Sequence, residues 1–400
     1  MIFLFILFLP TQLGKHFFLN FSYIEGVRVD YLAPTIYFID IIFLLLLFQN
    51  FPTIVFDFWK VWWIFIVLMI NIFTASSKPI AFYSSLKIFK LLAVFFIFKK
   101  IKISAKKVLL SLSIMGVVEL FLTVGQIFYQ RSLQGFFYFL GERYFTLATP
   151  GIAKASLNGI EFLRPYGTFS HPNSLAGFYL LVYFFVLTNK KFNQFFYLKY
   201  LSLFIFSSLV FISFSKVAIV SYLILNVIYS FMSFPPRLKA WRKLQQEPRF
   251  CKPCIIARTL TLLVVSFIFL QATTDPLTWA KRVELLKNAL TIIFQHPVFG
   301  VGLGNYLLAQ NQFVLKYSLF FNQPVHNIFL LFFAEVGVPF GLFIFYKIFV
   351  FFKKNLFAIY YLLFAILITG FFDHYWLTLP QNFLLVGVVF GLALKQNNLA

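Results

Sequence analysis

Residues 273–306 read TTDPLTWAKRVELLKNALTIIFQHPVFGVGLGNY, and residues 323–341 read QPVHNIFLLFFAEVGVPFG. Almost everywhere else the chain is continuous apolar sequence. Here a long segment is given over to turn residues, a Lys-Arg pair and histidines, and an apolar helix then opens with His326 and Asn327 at its mouth. Within 279–294, Val283, Leu286, Ala289, Leu290 and Ile293 recur at helical spacing, with Asp275 and Pro276 as start signals. The pattern predicts an amphipathic helix lying on or over a membrane surface and ending near His296-Pro297. The Gly-Val-Gly-Leu-Gly run at 300–304 reads as a flexible turn, because no strand precedes it as a phosphate-binding loop requires.

Working outward, composition sets the solvent. Of 400 residues 61% are hydrophobic and 62 are Phe. No soluble domain can cover that much apolar surface, so a polytopic membrane protein is expected. The apolar runs are unbroken rather than alternating over about ten residues, which excludes a β-barrel and leaves an all-α bundle. The formal charge of +22 is spread over many loops and not gathered on one face, which argues against nucleic acid and for charge sorting across a membrane. Cys251 and Cys254 form a C-x-x-C with no second pair or nearby histidine, so they read as free thiols and not as a zinc site. Residues 1–10 lack a basic start and a small-residue cleavage site and read as part of the first membrane segment. No internal repeat and no second domain are evident, so residues 1–400 are expected to form one integral membrane domain.

Apolar runs between charged breaks predict about twelve transmembrane helices, near 1–13, 35–51, 60–75, 80–98, 108–128, 172–188, 198–214, 216–233, 257–271, 326–350, 355–371 and 377–394. With that count every basic loop falls on one side. These loops carry Lys99, Lys100, Lys102, Lys106 and Lys107; Lys190, Lys191 and Lys199; Arg237, Lys239, Arg242, Lys243, Arg249, Lys252 and Arg258; and Lys347, Lys353, Lys354 and Lys395. That side is expected to be cytoplasmic and to hold both termini. The opposite face then receives 14–34, 129–171 and the large loop 272–325.

On that outer face cations recur where charge sorting predicts few. Arg164 precedes His171 and Asn173, Ser215-Lys216 opens the eighth span, Lys281-Arg282 sits in the surface helix, and His326-Asn327 opens the tenth. Taken singly each has a bland alternative. Arginines snorkel to lipid phosphates, His171 before a proline and His296 in a turn read as structural, and Asp373-His374, a fifth and weaker group, could form a dyad though its aromatic neighbours suit an anchoring belt. Glu335, inside an apolar helix, must pair with a base or line a cavity. Taken together, guanidinium groups match a diphosphate and a neutral imidazole is the usual general base. No acidic pair accompanies them, so a metal-held phosphate is not expected, nor is any cofactor.

At these motifs the chain resembles the O-antigen ligase and polymerase superfamily of bacterial envelope proteins. The matching stretches are RPYGTFSHPNSLAG (164–177), FSKVAIV (214–220), Arg282 through HPVFGVGLGNY (296–306), and VHNIFLLFFAEVGVPFG (325–341). GVRVDYLAPTIYFID (26–40) and FDHYWLTLPQ (372–381) suit such proteins as well. The resemblance implies transfer of a glycan from an undecaprenyl diphosphate carrier to an acceptor hydroxyl, at the outer face of the cytoplasmic membrane and without metal. It implies His326 as the catalytic histidine and Arg282 as the arginine of the large outer loop. Where ligases carry Ser-Arg this chain has Ser215-Lys216, which keeps the charge and loses the planar fork. Either the site tolerates a point charge there, or Arg164 takes more of the diphosphate, or the substrate differs; Arg282, Lys216 and Arg164 are the expected diphosphate-binding residues, with His171, Asn173, Asn327 and Glu335 as supporting candidates. The motifs suit a ligase passing the glycan to a lipid acceptor and a polymerase joining lipid-linked repeats. A transporter of lipid-linked glycan is disfavoured by the missing repeat.

Overall fold

The computed structural model describes residues 1–232, 252–273, 277–313, 322–353 and 356–396. Arg237, Lys239, Arg242, Lys243, Arg249, Cys251, Asp275, Pro276 and Lys354 lie outside the described residues, as do the side chains of Lys252, Cys254 and Arg258. The chain is mostly helical, as the apolar runs predict. Helices α1 (Ile2–Phe8), α2 (Phe38–Phe58), α3 (Trp62–Thr74), α4 (Lys78–Lys100) and α5 (Ala105–Tyr129) come first. They are followed by α6 (Pro172–Thr188), α7 (Phe196–Ile212), α8 (Lys216–Met232), α9 (Lys252–Leu270), α10 (Leu277–Gln295) and α11 (Tyr306–Gln310). The last are α12 (Ile328–Val336), α13 (Val338–Phe352), α14 (Leu356–Phe372), α15 (Tyr375–Thr378) and α16 (Pro380–Gln396). Among the described residues four stretches, Phe38–Thr74, Lys78–Lys100, Ala105–Tyr129 and Lys190–Ile212, are long and apolar enough to cross a membrane, and shorter apolar helices accompany them. The protein is an integral membrane protein of helical type.

Helix α6 is apolar on all sides, and a helix hydrophobic all round belongs in an interior. Leu175, Ala176, Leu180, Leu181, Val182, Phe184 and Val186 are fully buried, and α7, α8, α14 and α16 pack around them. The outer helices keep large apolar side chains exposed, such as Phe48, Phe56, Phe121 and Phe204. Such a surface belongs against lipid tails and not water.

Three expected boundaries differ. The span expected at 1–13 is the seven-residue α1, whose Phe5 and Ile6 are buried. The spans expected at 35–51 and 60–75 leave almost no loop between them: α2 runs to Phe58 and a 3₁₀ turn, Trp59–Val61, leads into α3. The helix expected over 326–350 is broken into α12 and α13 at Gly337, whose φ of +86° no L side chain adopts easily. A Cβ there would lie 2.1 Å from the Val298 carbonyl oxygen, and the Val338 N–H donates to Pro297 at 2.8 Å.

The expected surface helix exists as α10, longer than predicted and rotated. Leu285, Ala289 and Ile292 are buried on the side packed against α12, whereas the predicted Leu286 and Leu290 are exposed together with Trp279 and Phe294. The helix thus carries a protein-facing stripe and a second apolar stripe left outside. The 300–304 run is not flexible. Val301 and Gly302 N–H groups donate to the Ala334 and Glu335 carbonyls at 2.9 and 3.0 Å, and Asn71 accepts from Leu303 N–H at 2.8 Å. The glycines are needed for this approach, since a Cβ on Gly302 (φ +97°) would sit 2.3 Å from the Ala75 Cβ.

The segments between α1 and α2 and between α5 and α6 fold into small hairpins. Strand β1 (Gly14–His16) pairs antiparallel with β4 (Thr35–Tyr37), β2 (Tyr23–Ile24) with β3 (Val27–Arg28), and β5 (Lys154–Leu157) with β6 (Ile160–Leu163). The last turns on Asn158-Gly159, both at positive φ, a strong short-range hairpin signal. Ser156 exchanges backbone hydrogen bonds of 2.9 and 2.8 Å with Thr273, tying this hairpin to the chain after α9.

Candidate functional site

The loop 164–171 is held rigidly before α6 begins. Gln126 of α5 accepts from Tyr166 and Gly167 N–H at 2.9 and 2.8 Å, and its amide donates to Glu142 and to the Gly167 carbonyl. Thr168 bonds Glu119 and the Pro10 carbonyl. Each of these polar groups is buried and satisfied, which is the condition for a polar network to rigidify a core. His171 then caps α6, its Nδ1 accepting from Asn173 N–H at 3.1 Å, so the structural role expected from sequence is the one it takes.

That rigid entry aims Arg164 and Asn173. Arg164 donates through Nε to the Ser213 carbonyl at 3.1 Å and through a terminal nitrogen to Asn173 Oδ1 at 2.7 Å. It is therefore buried and bonded, and is not snorkelling. Asn173 passes the connection on, donating to Asp373 Oδ2 at 2.8 Å. Asp373 Oδ1 accepts from His374 N–H at 2.8 Å and lies 3.4 Å from His326 Nδ1. This contact is longer than a well-formed hydrogen bond, and Nδ1 has no other partner among the described residues. His326 and His374 rings are 5.2 Å apart. A chain of groups thus runs from Arg164 through Asn173 and Asp373 to His326, across residues far apart in sequence.

The electrostatics separate these groups. Burial pushes Asp373 up, but contact with His326, then the fields of His374 and His171, hold its carboxyl well below the usual range. Burial pushes His374 down to about 3, so it is a neutral imidazole at pH 7, and its Nδ1 sits 2.8 Å from Thr378 Oγ1. Arg282, on the protein-facing stripe of α10, repels both His374 and Arg164, which puts its guanidinium near both. Its Nε is buried with no hydrogen-bond partner among the described residues. A desolvated donor of this kind is costly unless a ligand completes it.

The remaining expected residues divide. Asn327 caps α12, accepting from Phe329 and Leu330 N–H at 2.9 and 3.0 Å, and ties it to the Phe371 carbonyl; it positions His326. Glu335 lies a full α12 length from His326, braces the 300–306 turn through the Gly304 and Tyr306 backbone, and lines with Lys87 a small cavity that also reaches Tyr31 and Thr378, the neighbours of His374. Lys216 is exposed and forms no ion pair among the described residues. Its closeness to the site rests on Ser213, three residues earlier, which accepts from Arg164. Sequence reasoning left Asp373-His374 between a dyad and an anchoring belt, and tertiary contact puts Asp373 among Asn173, His374 and His326. It also passed over Arg143, exposed and 5.8 Å over the Tyr166 ring, and Tyr31, stacked edge-on to His374.

Sequence showed no acidic pair beside the cations, yet the fold brings a single carboxylate to them. His326, Asp373 and His374 offer ligand atoms within 4.8 Å of one another, a donor set of a type that transition metals accept. Much of it is already engaged, because both Asp373 oxygens and His374 Nδ1 hold internal partners.

Residues 175–346 match the family model described as O-antigen ligase. The match contains Lys216, Arg282, His326, Asn327 and Glu335, and stops short of Arg164, Asn173 and Asp373. No curated protein matches the chain.

Proposed function

We propose that this member of the O-antigen ligase superfamily transfers a glycan from an undecaprenyl diphosphate carrier to an acceptor hydroxyl. Members of the family are glycan-transferring enzymes; the donor, the acceptor and the residue roles are our reading. The observation that carries it is the pairing of His326 with a buried carboxylate beside the unpartnered donor of Arg282. Asp373 orients His326 through Nδ1, which leaves Nε2 to face the reacting groups, the arrangement by which a carboxylate holds a basic imidazole.

The reaction follows. His326 Nε2 takes the acceptor proton as the hydroxyl oxygen attacks the anomeric carbon. The bond from that carbon to the carrier diphosphate breaks and configuration inverts. Negative charge grows on the leaving diphosphate, where Arg282, Lys216 and Arg164 stabilise it; preorganised donors of this kind contribute a few kcal/mol each. General-base assistance contributes ~10²–10⁴-fold. Among these cations Arg164 already holds Ser213 and Asn173, so it acts chiefly by its field, and Arg282 has the free geometry for a direct bond. The chain acts as a single membrane domain in the cytoplasmic membrane, with its site outside and its termini inside. In this reading the loop 272–325 lies on the outer side. The partners are the lipid-linked glycan donor, a glycan or lipid acceptor and membrane lipids.

The test is transfer by the purified protein with EDTA present, offering a lipid-A-core type acceptor and a second donor molecule. Transfer to the core acceptor identifies a ligase, and lengthening on the carrier a polymerase. His326→Ala should lose at least a hundredfold in either case; near-normal transfer by that variant would refute the base assignment. Abolition by EDTA and rescue by added metal would refute the metal-independent reading and turn attention to the His326–Asp373–His374 group.

A further inference from the structure

The end of the bundle opposite His326 holds a second concave site. Lys99, Lys100, Lys102, Lys191 and Lys395, together with Ser104, line a cavity of about 580 Å³. They come from three segments far apart in sequence, the α4–α5 connection, the turn after α6 and the end of α16. Charge sorting explains lysines in each loop separately. It does not explain why they converge on one hollow, since like charges repel and are more cheaply spread apart.

Little of this charge is neutralised. Lys100 pairs with Asp57 at 2.5 Å, and Asp57 also takes Lys60 at 2.6 Å. Lys395 donates to the Ile101 carbonyl, which fixes it at the wall, and Lys99 lies 5.4 Å over the Phe351 ring. Lys102 and Lys191 are exposed and have no acidic partner among the described residues.

A helix start adds to the field. Ser104 precedes α5, whose first turn has no side-chain cap bond and no acidic residue, and instead carries Lys106 and Lys107. The positive end of a 25-residue helix ordinarily attracts acidic side chains, and basic ones there oppose the dipole. An anion resting in the hollow would lie beside Ser104 at that helix start and among the lysines, where negative charge complements the dipole.

We propose that this lysine hollow binds a phosphate-bearing anion at the membrane boundary, either the headgroup of an anionic lipid or a free phosphate. The site is independent of the glycan-transfer reading, since no residue of the His326 group contributes to it. α16 connects the two ends. It starts two residues after Thr378, the partner of His374, and reaches the hollow at Lys395, about 25 Å away along a helix of 17 residues.

The test uses the full chain in detergent and measures binding of short-chain phosphatidylglycerol, phosphatidylcholine and inorganic pyrophosphate at low and high salt. Lys102→Gln/Lys191→Gln removes two exposed charges without touching packing, and Lys347→Gln/Lys353→Gln is the charge-matched control. Saturable phosphatidylglycerol binding, weakened by salt, should fall about twenty-fivefold in the first variant, at roughly fivefold per lysine near an anionic headgroup. The control should keep wild-type affinity. If pyrophosphate shows this behaviour and phosphatidylglycerol does not, the ligand is a free phosphate and the site stands. Equal losses in both variants would mean diffuse surface charge and would overturn the proposal, as would binding of neither anion or equal binding of phosphatidylcholine.

Discussion

Replacing Asp373 with asparagine tests the site at its hub. In the wild type Oδ2 accepts from Asn173 at 2.8 Å, Oδ1 accepts from His374 N–H at 2.8 Å, and Oδ1 faces His326 Nδ1 at 3.4 Å. Every neighbour is a donor. An amide of the same shape must place its NH₂ against one of them. Against Asn173 it forces that amide to turn, which presents NH₂ to Arg164 and breaks the 2.7 Å bond; against His326 it meets a second donor. Loss of the charge also removes stabilisation of the imidazolium. Coulomb's law at 3.4 Å gives about 5 kcal/mol at an effective dielectric of ~20 and about 1 kcal/mol at ~80. The His326 side chain is 17% exposed, which places it between these limits, so about 3 kcal/mol, or roughly a hundredfold in kcat, is expected. The assay is initial rate against donor and acceptor concentration with purified protein whose Tm is checked in parallel. The loss should appear in kcat, with acceptor KM changed little. A folded Asp373→Asn protein within about threefold of wild-type kcat would refute the orienting role.

Other outcomes follow from the same contacts. Arg282→Ala should lower kcat/KM for the donor by roughly a hundredfold, and Arg282→Lys should restore part of it, because charge returns without the fork; unchanged donor dependence would remove Arg282 from the site. Gly302→Ala should destabilise the fold by about 3 kcal/mol, combining overpacking with left-handed strain. Gly26→Ala, also at positive φ but with nothing within 4 Å of its Cβ, should lower Tm far less, and equal losses would show that strain alone matters. Stability should decline as pH falls from about 6.5 toward 3. The His374 pKa, about 3 when folded, returns to ~6.5 on unfolding, so the unfolded state binds the extra proton in that window. Burial also pushes His171 down to about 3, so each of the two histidines adds a slope of at most about 1.4 kcal/mol per pH unit, and His374→Gln should remove its share in detergent melts; an unaltered slope would mean His374 does not carry the effect.

The membrane class and helical fold were legible from sequence, since 61% hydrophobic residues in unbroken runs leave a chain few ways to satisfy its backbone. His326 and Arg282 were candidates there too, through the resemblance at their motifs and because charge sorting predicts few cations on the expected outer face. The Asn158-Gly159 turn is a local signal of the same kind, masked by an apolar pattern that speaks only of helices. Helix phase was not legible. The five apolar positions predicted for α10 included Leu286 and Leu290, which lie outside, because an apolar helix at a bilayer has two partners and periodicity does not distinguish protein from lipid. Only the tertiary structure brings Asp373 to His326 and sets Glu335 against the 300–306 turn. It also decided that the 300–304 glycines serve packing, not flexibility. Local sequence states what each residue can offer. Which donor meets which acceptor is set by segments 200 residues apart, such as those bearing Asn173 and Asp373, and that pairing is chosen by the burial of the whole bundle.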